Sequence, residues 1–441
     1  MPFFNRLFVL SLDLNRMKRI SILAVFLSIA FTMFSRSEKI KAETLFEHLR
    51  NGEGQQVYEM LDEKAQSMIT PEFLSSCFTE LQRGMGEYKG HTGFVSWPGN
   101  MWYSDIRMGD MQIRLLLVFD NDGLANTLRF VPVPEFHTAT YGKGEKEVII
   151  KSGRYSLPGT LSMPETGSAL PLVILVHGSG PNDRDETIGP NTPFRELSEA
   201  LTARGIAVLR YDKRTKVYAP DKNDTVTLDY EVTDDALSAI NYARTLPRVD
   251  ERRIFVLGHS LGGMMAPRIA DRDGKRAGII LLAAPARKMG TLMAEQLRYI
   301  SSLDTLHGGN GDARVEQLIL QSENMDKIGM SGYDPSVGLP AGIPESYAAD
   351  MCLYNSVKIM ETVSIPVLVL QGERDYQVTM EDFNIWKKAL SGHPATFYSY
   401  SSLNHIFHSG EGKCTPAEYM KAGVIPDRVF DDISSWIKGL K

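Results

Sequence analysis

Five aliphatic runs constrain what this chain can fold into. They are Leu172-Val173-Ile174-Leu175-Val176, Ile206-Ala207-Val208-Leu209, Ile254-Phe255-Val256-Leu257, Ala277-Gly278-Ile279-Ile280-Leu281-Leu282 and Val367-Leu368-Val369-Leu370. Each is apolar at consecutive rather than alternate positions, so both faces of each strand must be covered, as in a parallel sheet flanked by helices. Amphipathic stretches separate them, near Phe194 to Arg204, Asp234 to Arg244 and onward from Ser260, and another, Asp382 to Leu390, follows the last run. The strand Thr396 to Tyr400 and a closing helix from Asp427 to Leu440 follow. Strands alternating with helices predict the α/β class, with a mostly parallel sheet. Two shorter strands, Glu147 to Ile150 and Gly159 to Met163, precede the first run, and Pro158 and Pro164 read as edge punctuation. Between Ala283 and Thr362 the rhythm breaks; an insertion of that length between core strands is usually functional, and residues 283–362 are expected to form a helical cap.

A chain of 441 residues is too long for one core. Residues 1–42 read as a signal peptide or an N-terminal anchor: Met17-Lys18-Arg19 precedes an apolar run from Ile20 to Phe34. That run is short for a spanning helix, which needs roughly 17–25 residues, so export to the periplasm or medium is expected, with an uncleaved anchor as the alternative. Residues 43–134 read as a small α+β domain. Thr70 is placed as an N-cap before Pro71, opening a helix through Leu74, Cys77, Phe78 and Leu81 that stops at Gly84. Strands are expected over Met101 to Met108, Gln112 to Phe119 and Ala125 to Val131, with a turn at Asp120-Asn121-Asp122-Gly123. Residues 135–144 read as a linker and 145–441 as the larger domain. The net charge of −6, without a basic block, argues against a nucleic-acid partner. Three well-separated cysteines, Cys77, Cys352 and Cys414, have no metal-ligand spacing and read as buried thiols.

Chemistry concentrates at Gly258-His259-Ser260-Leu261-Gly262, which lies between a strand and a helix. There a G-x-S-x-G sequence forms a nucleophile elbow, a strained turn that exposes the serine. A serine hydroxyl is a poor nucleophile near neutral pH and needs a base, a group to orient that base, and donors for an oxyanion. Val176-His177-Gly178-Ser179-Gly180 ends the first run in a glycine turn, whose backbone N–H groups would face the same cavity as that of Leu261. Ser179 is the first choice of donor there, with Gly178 close behind. The acid is expected after the strand Val367 to Leu370, where Asp375 is preferred over Glu373. The base is expected one strand later, where His405 is preferred over His408. The order Ser260, Asp375, His405 is the serine–acid–histidine order of α/β-hydrolases. His177 and His259 read as packed or hydrogen-bonded turn residues, and Asp212, Lys213 and Arg214 as structural ion-pair partners.

From about Glu145 onward the chain resembles the α/β-hydrolase fold. It is similar to bacterial exported cinnamoyl-esterase-like and prolyl-oligopeptidase-like hydrolases that carry a small N-terminal domain. The resemblance rests on the elbow, on His177 to Asp185 and on Leu209-Arg210-Tyr211-Asp212-Lys213-Arg214. The N-terminal order of elements resembles nuclear transport factor 2-like domains. The resemblance implies hydrolysis of carboxylic esters through an acyl-enzyme, with Ser260, Asp375 and His405 catalytic, Ser179 and Leu261 in the oxyanion hole, and no cofactor or metal. A serine peptidase is the alternative, and a binding protein on the same scaffold is the alternative of another class. The partner expected is a small-molecule ester, and a homo-oligomer stays open.

Overall fold

The computed structural model describes residues 36–440, apart from 68, 98–100, 110, 121, 133–143, 219, 221–223, 276, 304–312 and 341–342. The expected signal or anchor (mostly before residue 36) and nearly all of the expected linker lie outside the described residues. Among the described residues no helix is long and apolar enough to cross a membrane. The chain divides into two compact units, one chiefly Ala30–Ala139, the other chiefly Thr140–Pro340 with Pro344–Lys441.

In the first unit, helices Arg36–Arg50 and Pro71–Met85 precede an antiparallel sheet. Thr70 caps the second helix by accepting from the Phe73 N–H at 3.3 Å, with Pro71 in the first turn. That helix passes Gly84 and ends at Gly86, whose φ of 98° suits a residue without Cβ. The strands are β1 (Tyr88–His91), β2 (Val95–Trp97), β3 (Met101–Met108), β4 (Met111–Phe119) and β5 (Ala125–Pro132). Their order is β1-β3-β4-β5, with β2 also paired to β3. The first two strands escaped the sequence reading because four and three residues carry no legible alternation. Leu45, Phe46 and Leu49 pack with Leu74, Phe78 and Leu81 over Ile106, Leu115 and Leu117.

In the second unit eight strands form one sheet: β6 (Glu145–Ser152), β7 (Tyr155–Ser162), β8 (Leu170–Val176), β9 (Ala207–Tyr211), β10 (Val249–His259), β11 (Gly278–Leu282), β12 (Val367–Gly372) and β13 (Ala395–Tyr400). The spatial order is β6-β7-β9-β8-β10-β11-β12-β13. Pairing is parallel from β9 to β13 and antiparallel for β6 and β7. Pro158 lies inside β7 instead of bounding it. It stands opposite Ile149 of β6, and the pairing of β7 with β9 begins only at the next residue, so its missing N–H interrupts no ladder on that side. As the unbroken apolar runs require, β8, β9, β11 and β12 are buried at every residue. Val173 and Leu175 share a core with Phe194, Leu197 and Leu201 of helix Pro193–Ala203 and with Val429, Phe430 and Ile433 of the closing helix. Helices Asp234–Arg244 and Leu261–Asp273 pack against β10 as well. Among the described residues, four α-helices, Met289–Ser302, Ala313–Met325, Glu345–Leu353 and Ser356–Met360, lie between β11 and β12. The connections diverge at β8, with β9 on one side and β10 on the other, so a crevice is expected at the carboxyl ends of these strands.

Candidate active site

The elbow is built by sterics. Ser260 joins β10 to helix Leu261–Asp273 with φ 51° and ψ −119°, a left-handed conformation that costs on the order of 1–3 kcal/mol for a side-chain-bearing residue. Its N–H donates to the Leu282 carbonyl at 2.9 Å, and its own carbonyl accepts from the Met264 N–H at 2.9 Å. A Cβ on Gly258 would lie 2.1 Å from the Gly262 carbonyl oxygen, and one on Gly262 would lie 2.1 Å from the Val176 oxygen. The flanking glycines therefore let the end of β8 rest directly on the turn.

The residues expected as acid and base, Asp375 and His405, stand in the loops after β12 and β13. His405 Nδ1 lies 2.6 Å from Asp375 Oδ2, and both side chains are buried. Asp375 Oδ1 accepts from the N–H groups of Gln377 (2.8 Å) and Val378 (3.0 Å), and Oδ2 also accepts from Gln371 Nε2 (3.2 Å). These donors fix the carboxylate. The histidine turn is held by Asn404, whose Oδ1 accepts from the Ile406 and His408 N–H groups at 3.1 and 3.0 Å. With Nδ1 on the carboxylate, Nε2 is the ring nitrogen left for proton transfer. His408 is turned elsewhere, its Nε2 lying 3.6 Å from Glu196 Oε1. Glu373 is an exposed residue accepting from Ser399 Oγ.

The glycine turn after β8 lies beside the elbow: a Cβ built on Gly178 would stand 3.2 Å from that of Ser260. The Gly178 N–H is already committed, donating to Glu186 Oε1 at 2.6 Å. That removes Gly178 as an oxyanion donor. Ser179 has no partner for its N–H among the described residues, and the Leu261 N–H opens its helix, where no i−4 carbonyl is available within the helix.

With this geometry in place, residues 171–411 match the family model of serine aminopeptidases of the S33 type. The chain belongs to this family. The S33-type chain is an esterase-type α/β-hydrolase, 33% identical over 401 residues to Esterase EstD of Thermotoga maritima, a match covering 89% of this chain and 93% of that protein. A match of 401 residues is too long to lie in the hydrolase unit alone, so it takes in part of the N-terminal unit. Among solved structures the hydrolase is similar to an esterase of Pyrococcus furiosus (18% identity, TM-score 0.44, 67% of this chain and 91% of that one). It is also similar to Est1E from Butyrivibrio proteoclasticus (19%, TM-score 0.42, 67% and 98%).

One partner of the hydrolase's site escaped the sequence reading. Glu186 is buried, with its backbone at φ 50°, and its Oε2 lies 2.9 Å from His259 Nδ1. His259 Nε2 lies 3.0 Å from the His405 carbonyl oxygen, so both ring nitrogens face acceptors. Burial pushes the His259 value down, but Glu186, by charge and hydrogen bond, and the His405 carbonyl outweigh it and hold the imidazole above its ordinary range. Burial likewise pushes Glu186 up, and His259, by charge and hydrogen bond, together with the Gly178 N–H outweighs it and holds the carboxylate below its range. The pair ties the Gly178 turn to the backbone of His405. His177, buried against Phe194 and Tyr211, is pushed down by burial to about 4 and is neutral. Charges in and just after β9 are paired as well: Asp212 with Arg184, Arg210 with Asp185, and Arg214 with Asp235.

Proposed function

We propose that the protein is a serine esterase working through an acyl-enzyme. Ser260 Oγ attacks the ester carbonyl carbon while His405 Nε2 takes its proton. The developing oxyanion is held by the N–H groups of Leu261 and Ser179. Collapse breaks the carbon–oxygen bond to the alcohol, which leaves with the proton from His405. Water, deprotonated by His405 in turn, attacks the acyl carbon and releases the acid with Ser260 restored. Asp375 fixes the His405 tautomer and stabilises its imidazolium. The observation that carries this reading is the buried 2.6 Å contact between His405 and Asp375, on the loops after β13 and β12, in the same sheet that ends β10 in the strained Ser260 elbow. The Thermotoga relative, named as an esterase, supports the ester as substrate.

The family description favours a second reading, an aminopeptidase. Hydrolysis of p-nitrophenyl esters measured beside aminoacyl p-nitroanilides separates the two. Turnover of esters alone is the expected result, and efficient anilide cleavage would replace the esterase reading. Loss of ester turnover in Ser260→Ala is expected, and its survival would remove the serine mechanism. We also read the N-terminal unit as nuclear transport factor 2-like, on the strength of helices preceding an antiparallel sheet. The segment from Met17 to Phe34 supports export.

A further inference from the structure

Lys213 is buried, and so is its ion-pair partner Glu231. Its ammonium donates to the Gly178 carbonyl oxygen at 2.7 Å and contacts Glu231 Oε1. Glu231 Oε2 accepts from Tyr347 Oη at 2.7 Å. Asn182 adds a second donor, its Nδ2 lying 3.1 Å from the Gly178 oxygen and 3.0 Å from the Ser179 oxygen, and the Lys213 N–H donates to the Asn182 carbonyl at 3.0 Å. Packing alone does not call for a buried lysine here. Burying an ion pair carries a desolvation penalty of several kcal/mol per ion, and apolar pairs of the same volume are often as stable.

What the lysine touches is the same peptide that carries the oxyanion donor. The Gly178 carbonyl and the Ser179 N–H belong to one planar unit, so fixing the oxygen fixes the direction of the N–H. A cation on that oxygen also draws electron density from the nitrogen and strengthens its N–H as a donor, since hydrogen bonds in series polarise one another. We propose that Lys213 is a positioning residue that orients and polarises the Gly178–Ser179 peptide for oxyanion binding, held in place by Glu231 and, through Tyr347, by the helices inserted between β11 and β12.

The surroundings fit this role. Glu231 stands in a π-helical turn, Asp229–Thr233, ahead of helix Asp234–Arg244, and such excursions are frequent at functional sites. The neighbouring pair Arg214–Asp235 is also buried but bonds to Ser152, leaving the turn's backbone untouched. The two groups of Gly178 are thus held from opposite signs of charge, the N–H by Glu186 and the carbonyl by Lys213. Tyr347 belongs to helix Glu345–Leu353, so the chain Tyr347–Glu231–Lys213–Gly178 links the inserted helices to the turn beside the nucleophile.

The inference rests on the serine esterase reading, and the experiment separates the two. Lys213→Met/Glu231→Gln removes both charges without stranding either, and Lys213→Gln/Glu231→Gln leaves a neutral donor in place of the ammonium. Each full-length variant is assayed on p-nitrophenyl acetate and titrated with an aryl boronic acid, which adds to the serine as a tetrahedral anion, beside Ser260→Ala. The expected result is a kcat about tenfold lower in the Met variant with KM within about twofold, and boronate affinity falling in step with kcat/KM. The Gln variant is expected to lose about threefold, and it alone decides the matter should the Met variant fail to fold. A folded variant with kcat and boronate affinity at the parent level, whatever its Tm, would overturn the proposal. Ester turnover surviving in Ser260→Ala would overturn the serine reading instead.

Discussion

Replacing Glu186 by glutamine keeps the size of the side chain and removes its charge. In the parent, Glu186 Oε2 lies 2.9 Å from His259 Nδ1, and Oε1 accepts the Gly178 N–H at 2.6 Å. At an effective dielectric constant of about 20, unit charges this close attract by roughly 6 kcal/mol. Removing one side of a buried pair typically costs about 3–5 kcal/mol. Glutamine recovers part of this, because its amide oxygen can still accept from Gly178. Its NH2 then faces the imidazole, which must give up the Nδ1 proton and keep only its bond to the His405 carbonyl. The expected loss is about 3 kcal/mol, or roughly 3–5 °C in Tm for a unit of this size. The pH dependence carries the sign. In the parent the His259 value is raised, so its contribution is full below the unfolded value of about 6.5 and is lost as pH climbs through the folded one. Without Glu186, burial dominates and lowers the value, so stability is instead lost as pH falls below about 6.5. Calorimetry of both proteins at about pH 5.5 and pH 8.5 should therefore find the larger penalty at the lower pH. Turnover should fall about tenfold, since the pair anchors both the Gly178 turn and the His405 backbone. A penalty below about 1 kcal/mol, equal at the two pH values, would refute this reasoning.

Other substitutions test the remaining parts. His405→Ala should lower kcat by about 10³–10⁴, whereas His408→Ala, whose ring faces Glu196, should leave it within about threefold; steady-state kinetics on an aryl ester decides. Gly258→Ala places a Cβ 2.1 Å from backbone and should yield no soluble folded protein, as read by size-exclusion chromatography and circular dichroism. All three cysteines are buried and free, and burial pushes the Cys77 and Cys414 thiols up to about 12. Ellman's reagent should thus modify none in the native protein and all three in denaturant.

The parts of the site legible in the sequence are those whose logic is local. Gly258, Ser260 and Gly262 announce a strained turn because only glycines fit around it, Asp375 stands just past the continuous apolar run Val367 to Leu370, and His405 just past the aromatic-rich strand Thr396 to Tyr400. The sheet was legible for the same reason: burial on both faces leaves no polar alternation in β8, β9, β11 and β12. Glu186 was not legible, since beside Asp183, Arg184 and Asp185 it looks like one more charge in a solvated loop; its burial follows from tertiary pairing with His259. Lys213 was read as a structural ion-pair partner, and only its placement on the Gly178 carbonyl gives it a bearing on the turn proposed to bind the oxyanion. Glu231 and Tyr347 meet across 116 residues of chain, which no spacing rule reaches. Pro158 misled for a related reason: whether a proline ends a strand depends on which of its sides is paired, and that is set by the neighbouring strand.

The central claim is that Ser260 is a nucleophile activated by His405 and Asp375. Treatment with a fluorophosphonate, followed by intact-mass measurement and peptide mapping, addresses it directly. One adduct is predicted, on Ser260, absent in Ser260→Ala and much slower to form in His405→Ala. Absence of an adduct on the parent, or an adduct on any other residue, would contradict the account.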